Sequence, residues 1–307
     1  MSDTNRVALR VVEESALNTF PGGSLQTLRI TGESLNTNVE TIESAELRSD
    51  RSISDLIKVD QSNGGGFNFE LSFGSFDTLL EGALFADWST NVLTNGATRH
   101  SYSIEKALLD IDEYFLFTGM VVSRFNLNLA SKAIATGSFE FLGCGSVLGQ
   151  SANSATIATA TTSSVMNCGT NVTSLLESSY GGTLSALTGI YVQELSVSID
   201  NALRPIAGIG CNSIQNIGVG AMKITGSMNA YFASDRLYDK FLANTAFAMQ
   251  FIISDGTNSY TVLIPKAKFA SNQVVAGSKD QDVMENLTWQ ALYDATTDCM
   301  IRITRSA

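Results

Sequence analysis

The sequence predicts a mainly β protein made of two tandem modules, each a β-sandwich or barrel with one short flanking α-helix. Three observations carry this. Apolar residues recur at every second position: Phe67, Phe69, Leu71 and Phe73 alternate with Asn68, Glu70 and Ser72, which is the period of a strand with one buried face. Helical patterns are few. The layout of residues 43–76, "ESAELRSDRSISDLIKVDQSNGGGFNFELSFGSF", recurs in residues 198–232, "SIDNALRPIAGIGCNSIQNIGVGAMKITGSMNAYF".

Along the chain, Phe125, Leu127 and Leu129 keep the two-residue phase, as do Phe139 and Phe141. In the second half Met222, Ile224 and Met228 alternate, and so do Leu287 and Trp289. Asp255-Gly256, between two apolar runs, marks a hairpin with a slightly long loop. Helices are expected at 75–88 and 234–245, each opening near Ser or Asp as an N-cap does, with a weaker candidate at 173–179.

The repeat rests on four anchors. "SAELR" (44–48) aligns with "DNALR" (200–204), and Gly64 with Gly220 at the same offset. "FDTLLEGAL" (76–84) aligns with "SDRLYDKFL" (234–242), and "SYSI" (101–104) with "SYTV" (259–262). Nearly constant offsets imply one module written twice. The stretch 151–165 is almost wholly Ser, Ala and Thr, a composition that builds little core and need not be rigid. The expected division is therefore a first module at 1–150, a linker at 151–166 and a second module at 167–307.

Composition narrows the function. The chain has 307 residues, 44% of them hydrophobic, which is enough for a substantial core. Its net charge of −11 argues against a surface that grips nucleic acid by its phosphates. No run is long and apolar enough to span a membrane, and the N-terminal stretch lacks the apolar core of a signal peptide, so synthesis in the cytoplasm is expected. Cys144, Cys168, Cys211 and Cys299 are too scattered for a zinc site and read as reduced thiols.

Catalytic chemistry is hard to find. His100 is the single histidine, and its place before a strand reads as a solvent-facing turn. A triad would have to use it. Asp110, Asp112 and Glu113 lack the glycine and distal glutamate of a calcium loop and read as a solvated hairpin tip. The glycines of residues 208–220 fit neither a dinucleotide nor a phosphate loop. No enzyme, metal or cofactor is expected. The segments from Arg48 to Gly64 and from Arg204 to Gly220 are long for loops of a compact β module, and the second is apolar. Such loops are expected to be covered by another subunit.

The first-half segments "TIESAELRSDRSISDLIKVDQSNGGGFNFELSFGSFDTLLEGALF" and "FTGMVVSRFNLNLASKAIATGSFEFLG", and the second-half segments "YTVLIPKAKF" and "GSKDQDVMENLTWQALYD", resemble the tail tube proteins of long-tailed, siphovirus-like bacteriophages. The resemblance implies two tail-tube modules per chain, with three chains closing a pseudo-six-fold ring and rings stacking into a hollow tube for the genome. It implies a virion protein that is made in the host bacterial cytoplasm. Its partners would be copies of itself, the tape measure, terminator and distal tail proteins, and DNA in transit without specific binding. It assigns the long loops to assembly, with Arg48, Ile53, Leu56 and Ile57 in the first and Arg204, Ile206, Ile209, Ile214 and Ile217 in the second. Acidic side chains facing the channel would repel phosphates, and Glu70 and Glu140 are the candidates. Another ring-forming tail or secretion-tube component, or a carbohydrate-binding or adhesive β protein, is the alternative.

Overall fold

Strands form almost wherever apolar residues alternate. The computed structural model describes residues 3–149, 151–154 and 156–306. After a 3-10 turn, β1 (Val7–Glu13), β2 (Leu25–Thr27), β3 (Gly32–Glu33) and β4 (Asn36–Glu43) lead into the long β5 (Leu56–Glu70). Helix α1 (Asp77–Leu84) follows, then β6 (Val92–Thr94), β7 (Tyr102–Leu108), β8 (Glu113–Ala130), β9 (Thr136–Gly143) and β10 (Gly145–Gly149). β11 (Ile157–Ala158) lies between the halves. The second half holds β12 (Val172–Ser179), β13 (Ser185–Ala186), β14 (Val192–Asp200), β15 (Arg204–Ile206), β16 (Asn216–Gly218) and β17 (Lys223–Tyr231). It ends with α2 (Arg236–Leu242), β18 (Phe247–Ser254), β19 (Ser259–Ala276), β20 (Val283–Ala291) and β21 (Arg302–Ser306).

The two halves order their strands alike. In the first, antiparallel neighbours run β4, β5, β9, β8. In the second they run β14, β17, β20, β19. The two sets join because Arg124–Ala130 of β8 pairs with Glu194–Asp200 of β14. One long sheet therefore crosses the whole chain, with β3 extending the β4 edge along β5. The long strands β8 and β19 also serve a second layer. The first part of β8 pairs with β7 and β10, and the first part of β19 with β18 and β21. Each long strand carries a bulge on its β9 or β20 side, between Val122 and Arg124 and between Phe269 and Ser271. A bulge adds a residue to one strand and bends it, as the passage between layers requires.

The core follows from the alternation. Phe67, Phe69, Phe76, Phe125, Phe139 and Phe141 form one aromatic cluster, with Phe69 and Phe76 centroids 4.2 Å apart. In the second half Phe247 stacks on Phe269 at 4.2 Å beside the fully buried Trp289. Each buried aromatic removes a large apolar area from water, the dominant favourable term here. Gly226 faces Trp289 across the sheet, where a Cβ would lie 2.1 Å from the Ser196 carbonyl oxygen and 2.2 Å from the indole ring. The ring occupies the space a side chain would need.

Both expected helices form, and Leu79 and Leu237 anchor them in the core. Neither helix uses a side-chain cap. Asp77 instead accepts hydrogen bonds from the Tyr260 hydroxyl and the Arg305 guanidinium, which stacks on Trp88. This clamp ties the first half to the second, as does the pairing of β21 with β6.

Residues 172–179 form a strand, β12, rather than the weak helix, because they complete the sheet beside β18. "SYSI" and "SYTV" are not equivalent: Tyr102 starts β7 and Tyr260 belongs to β19, whereas the element order matches β7 with β18. The Ser/Ala/Thr stretch is held along the first half. The Thr156 carbonyl accepts from the Leu25 amide, β11 pairs in parallel with β2, and Arg29 donates to the Ser163 carbonyl. Met166 is fully buried. Ala155 of that stretch, and Gln150 just before it, lie outside the described residues.

Candidate functional site

One face of the long sheet is packed on the core, and the other is polar and open. A row across the middle of the open face reads Asn68, Ser138, Asn126, Ser198 and Thr225. These are short amides and hydroxyls, several bonded to neighbours on the face: Asn126 donates to the Ser138 hydroxyl at 3.1 Å, and the Ser196 and Ser227 hydroxyls lie 2.7 Å apart. Glu70 and Glu140 both stand on this face. Glu140 is not a bare charge. Arg124 lies 3.6 Å from it and 3.0 Å from Asp200, so the guanidinium bridges β9, β8 and β14 at the junction of the halves. The Ala202 amide and Arg124 together hold the Asp200 carboxyl below its ordinary range. The register alone reveals this charge row, because Arg124 and Asp200 are remote in sequence.

Two arms leave the sheet. The first is the β4–β5 hairpin, whose pairing runs out to Glu43 opposite Leu56. Much of the expected loop from Arg48 to Gly64 is therefore strand, and the connection itself is 44–55. Ile53, Leu56 and Ile57 are 64%, 59% and 51% exposed, and Val39, Ile42 and Leu47 join them. Exposed apolar surface of this kind is a general feature of sites that contact other proteins. Arg48 forms an exposed ion pair with Asp50 at 2.8 Å and holds that carboxyl down to about 2.

The second arm is the β15–β16 hairpin. Arg204, Ile206 and Ile209 are exposed, Ile209 completely. Ile214 and Ile217 are not. They are 3% and 1% exposed and pack with Phe85, Val121 and Cys144 of the first half. The expectation that both lie on an open loop is corrected: apolar side chains in a hairpin that folds back fill the chain's own core. Arg99 fixes this docking by donating to Asn216 Oδ1 at 2.9 Å and to the Ile217 carbonyl at 2.7 Å.

His100 is also corrected. It is 5% exposed, with Nδ1 2.6 Å from Glu13 Oε1 and Nε2 3.8 Å from Asp87 Oδ1, so it is a buried tie between segments rather than a solvent-facing turn. Residues 109–112 do form the turn between β7 and β8. All four cysteines are free; Cys144 and Cys299 are buried, Cys168 is half-buried and Cys211 is exposed. Among the described residues, no group of three or more His, Cys, Asp or Glu side chains is placed to hold a metal ion, and no helix is long and apolar enough to cross a membrane.

An open polar sheet face, a sheet whose end strands are bonded on one side only among the described residues, and apolar arms define a structural β subunit whose surfaces suit contact with other proteins. Residues 4–291 match the phage tail tube proteins, and the chain belongs to that family. It is thus a structural component of a virion tail, in a family whose members assemble with themselves and with other tail proteins. No curated protein matches the chain.

Proposed function

We propose that three copies of this chain close into a ring and that rings stack into the hollow tube of a long-tailed phage, through which the genome passes into the host. The observation that carries this reading is the junction between the halves. β8 of the first half accepts β14 of the second, and among the described residues the long sheet still ends in a single-sided strand at each end. A sheet that joins two similar halves and leaves compatible edges is suited to continue into a second copy, and closure removes the free edges. The like strand orders support an internal duplication, with modules at 1–150 and 167–307 about the 151–166 segment. Three such chains give a pseudo-six-fold ring.

The open face then lines the channel. Its amides, hydroxyls and alternating charge row present no stripe of Lys and Arg, so a passing duplex meets little to bind its phosphates. Glu70, and Glu140 in its ion pair, add weak repulsion. The arms, with Arg48, Ile53, Leu56 and Ile57 on the first and Arg204, Ile206 and Ile209 on the second, make subunit and ring contacts. The tape measure, terminator and distal tail proteins are the other partners, and synthesis takes place in the host cytoplasm.

Electron microscopy of the purified protein and of its parent particles, averaged along the tube axis, tests the proposal. Stacked rings with three-fold symmetry and two similar modules per chain are expected. Isolated monomers at every concentration, with no rings in any native particle, would overturn it.

A further inference from the structure

Resting on that ring reading, the internal junction allows the contact between copies to be specified residue by residue. The β3–β4 edge is bonded on one side by β5, and residues 268–276 of β19 on one side by β20. Among the described residues, neither has a strand on its other side. The corresponding edges of the two halves already meet inside the chain, where Arg124–Ala130 pairs with Glu194–Asp200.

The bulges set the alignment. Ser123 is the extra residue of β8, before Arg124 opposite Glu140, and Ala270 is the extra residue of β19, before Ser271 opposite Thr288. Superposing them places Ser271 where Arg124 stands, Asn272 where Phe125 stands and Gln273 where Asn126 stands. Across the sheet, Glu140 faces Gly66 and Thr288 faces Ser227. Two residues earlier on those strands, Gly64 faces Asn36 and Thr225 faces Ser198. Asn36 therefore stands where Ser198 stands. Ser198 pairs with Asn126 inside the chain.

We infer that β3–β4 of one copy pairs antiparallel with the end of β19 of the next, with Asn36 opposite Gln273, Thr37 opposite Asn272, Asn38 opposite Ser271 and Leu35 opposite Val274. Side-chain chemistry agrees with this register on both faces. Leu35 and Val274 take the core-side places of Val197 and Leu127, while Asn36 and Gln273 take the open-face places of Ser198 and Asn126. Period-two alternation makes a one-residue slip turn these side chains to the wrong faces. The same register sets Thr37, whose hydroxyl is bonded to Asn63 and Ser146 within its own chain, opposite Asn272.

Cysteine cross-linking in assembled tubes tests the register. Directly opposed residues have Cβ atoms about 4.5–5.5 Å apart and diagonal ones about 7–8 Å. Asn36→Cys with Gln273→Cys, in a Cys211→Ser background that removes the exposed thiol, should shift from monomer to a covalent three-chain species on mild oxidation. Either cysteine alone should stay monomeric, and Asn36→Cys with Val275→Cys should link far less. Circular dichroism confirms that the variants fold, and both sites are on the sheet surface. Tubes that link preferentially through Val275→Cys, or through no pair between 33–38 and 271–276, would overturn the register and leave the ring reading standing. Failure of the parent protein to form rings would remove the ring reading and this inference with it.

Discussion

Ile209 and Ile217 belong to the same hairpin, yet they stand in opposite surroundings. Ile217 is buried against Phe85 and Val121, so Ile217→Ala should cost the single chain about 2–5 kcal/mol, read from denaturant unfolding. Ile209 is fully exposed, so Ile209→Asp should change monomer stability by less than about 0.5 kcal/mol while suppressing tube growth. Equal destabilisation by the two changes would refute this division. Glu285 offers a pH test. It is buried on β20 and accepts a hydrogen bond from Asn272 at 2.6 Å, and burial pushes its carboxyl above the ordinary range. A raised carboxyl favours the folded state below its unfolded pKa, about 4.3, and that contribution is lost as pH rises through the folded value. Glu285→Gln should therefore match the parent protein near pH 4 and exceed it at pH 7. Parallel stability profiles across that range would rule this out. Neither Ile217 nor Glu285 announces its burial in the sequence, since a hairpin isoleucine and a strand glutamate both have exposed counterparts nearby.

At the scale of elements, the segment between the halves behaves as bound structure. Its composition is that of a flexible linker, but the β2 pairing, the Arg29 contact and buried Met166 fix both its ends. Removing two residues from 158–161 should lower the thermal midpoint, because the backbone bonds on one side must break. An unchanged midpoint would return the segment to the role of slack tether. The strands themselves were legible. Phe67, Phe69, Phe125, Leu127, Phe139 and Phe141 all fall on the core face that alternation predicts. Residues 173–179 suggest a weak helix because "TSLLESS" carries no decisive period, and pairing with the neighbouring β18 makes them strand.

At the scale of the molecule, the halves are not independent. β8–β14 pairing, the β21–β6 pairing and the Asp77–Tyr260–Arg305 clamp all cross between them. Calorimetry of the single chain should show one cooperative transition. Two well-separated transitions would mean that these ties contribute little. A fragment ending at residue 150 would expose the β8 edge and should aggregate, for an uncovered edge strand recruits partners.

The sequence by itself determined the β class, the two helices, the core face of each major strand and the resemblance to tail tube proteins, because these depend on local periodicity and on patterns that survive in one dimension. Only the tertiary structure decided which halves of β8 and β19 join which layer, that Ile214 and Ile217 are core, that His100 is buried and that Arg124 lies between Glu140 and Asp200. Those outcomes depend on strand pairing between residues far apart in the chain. The free energy of a side chain is set by the neighbours that pairing brings, and local sequence does not encode them.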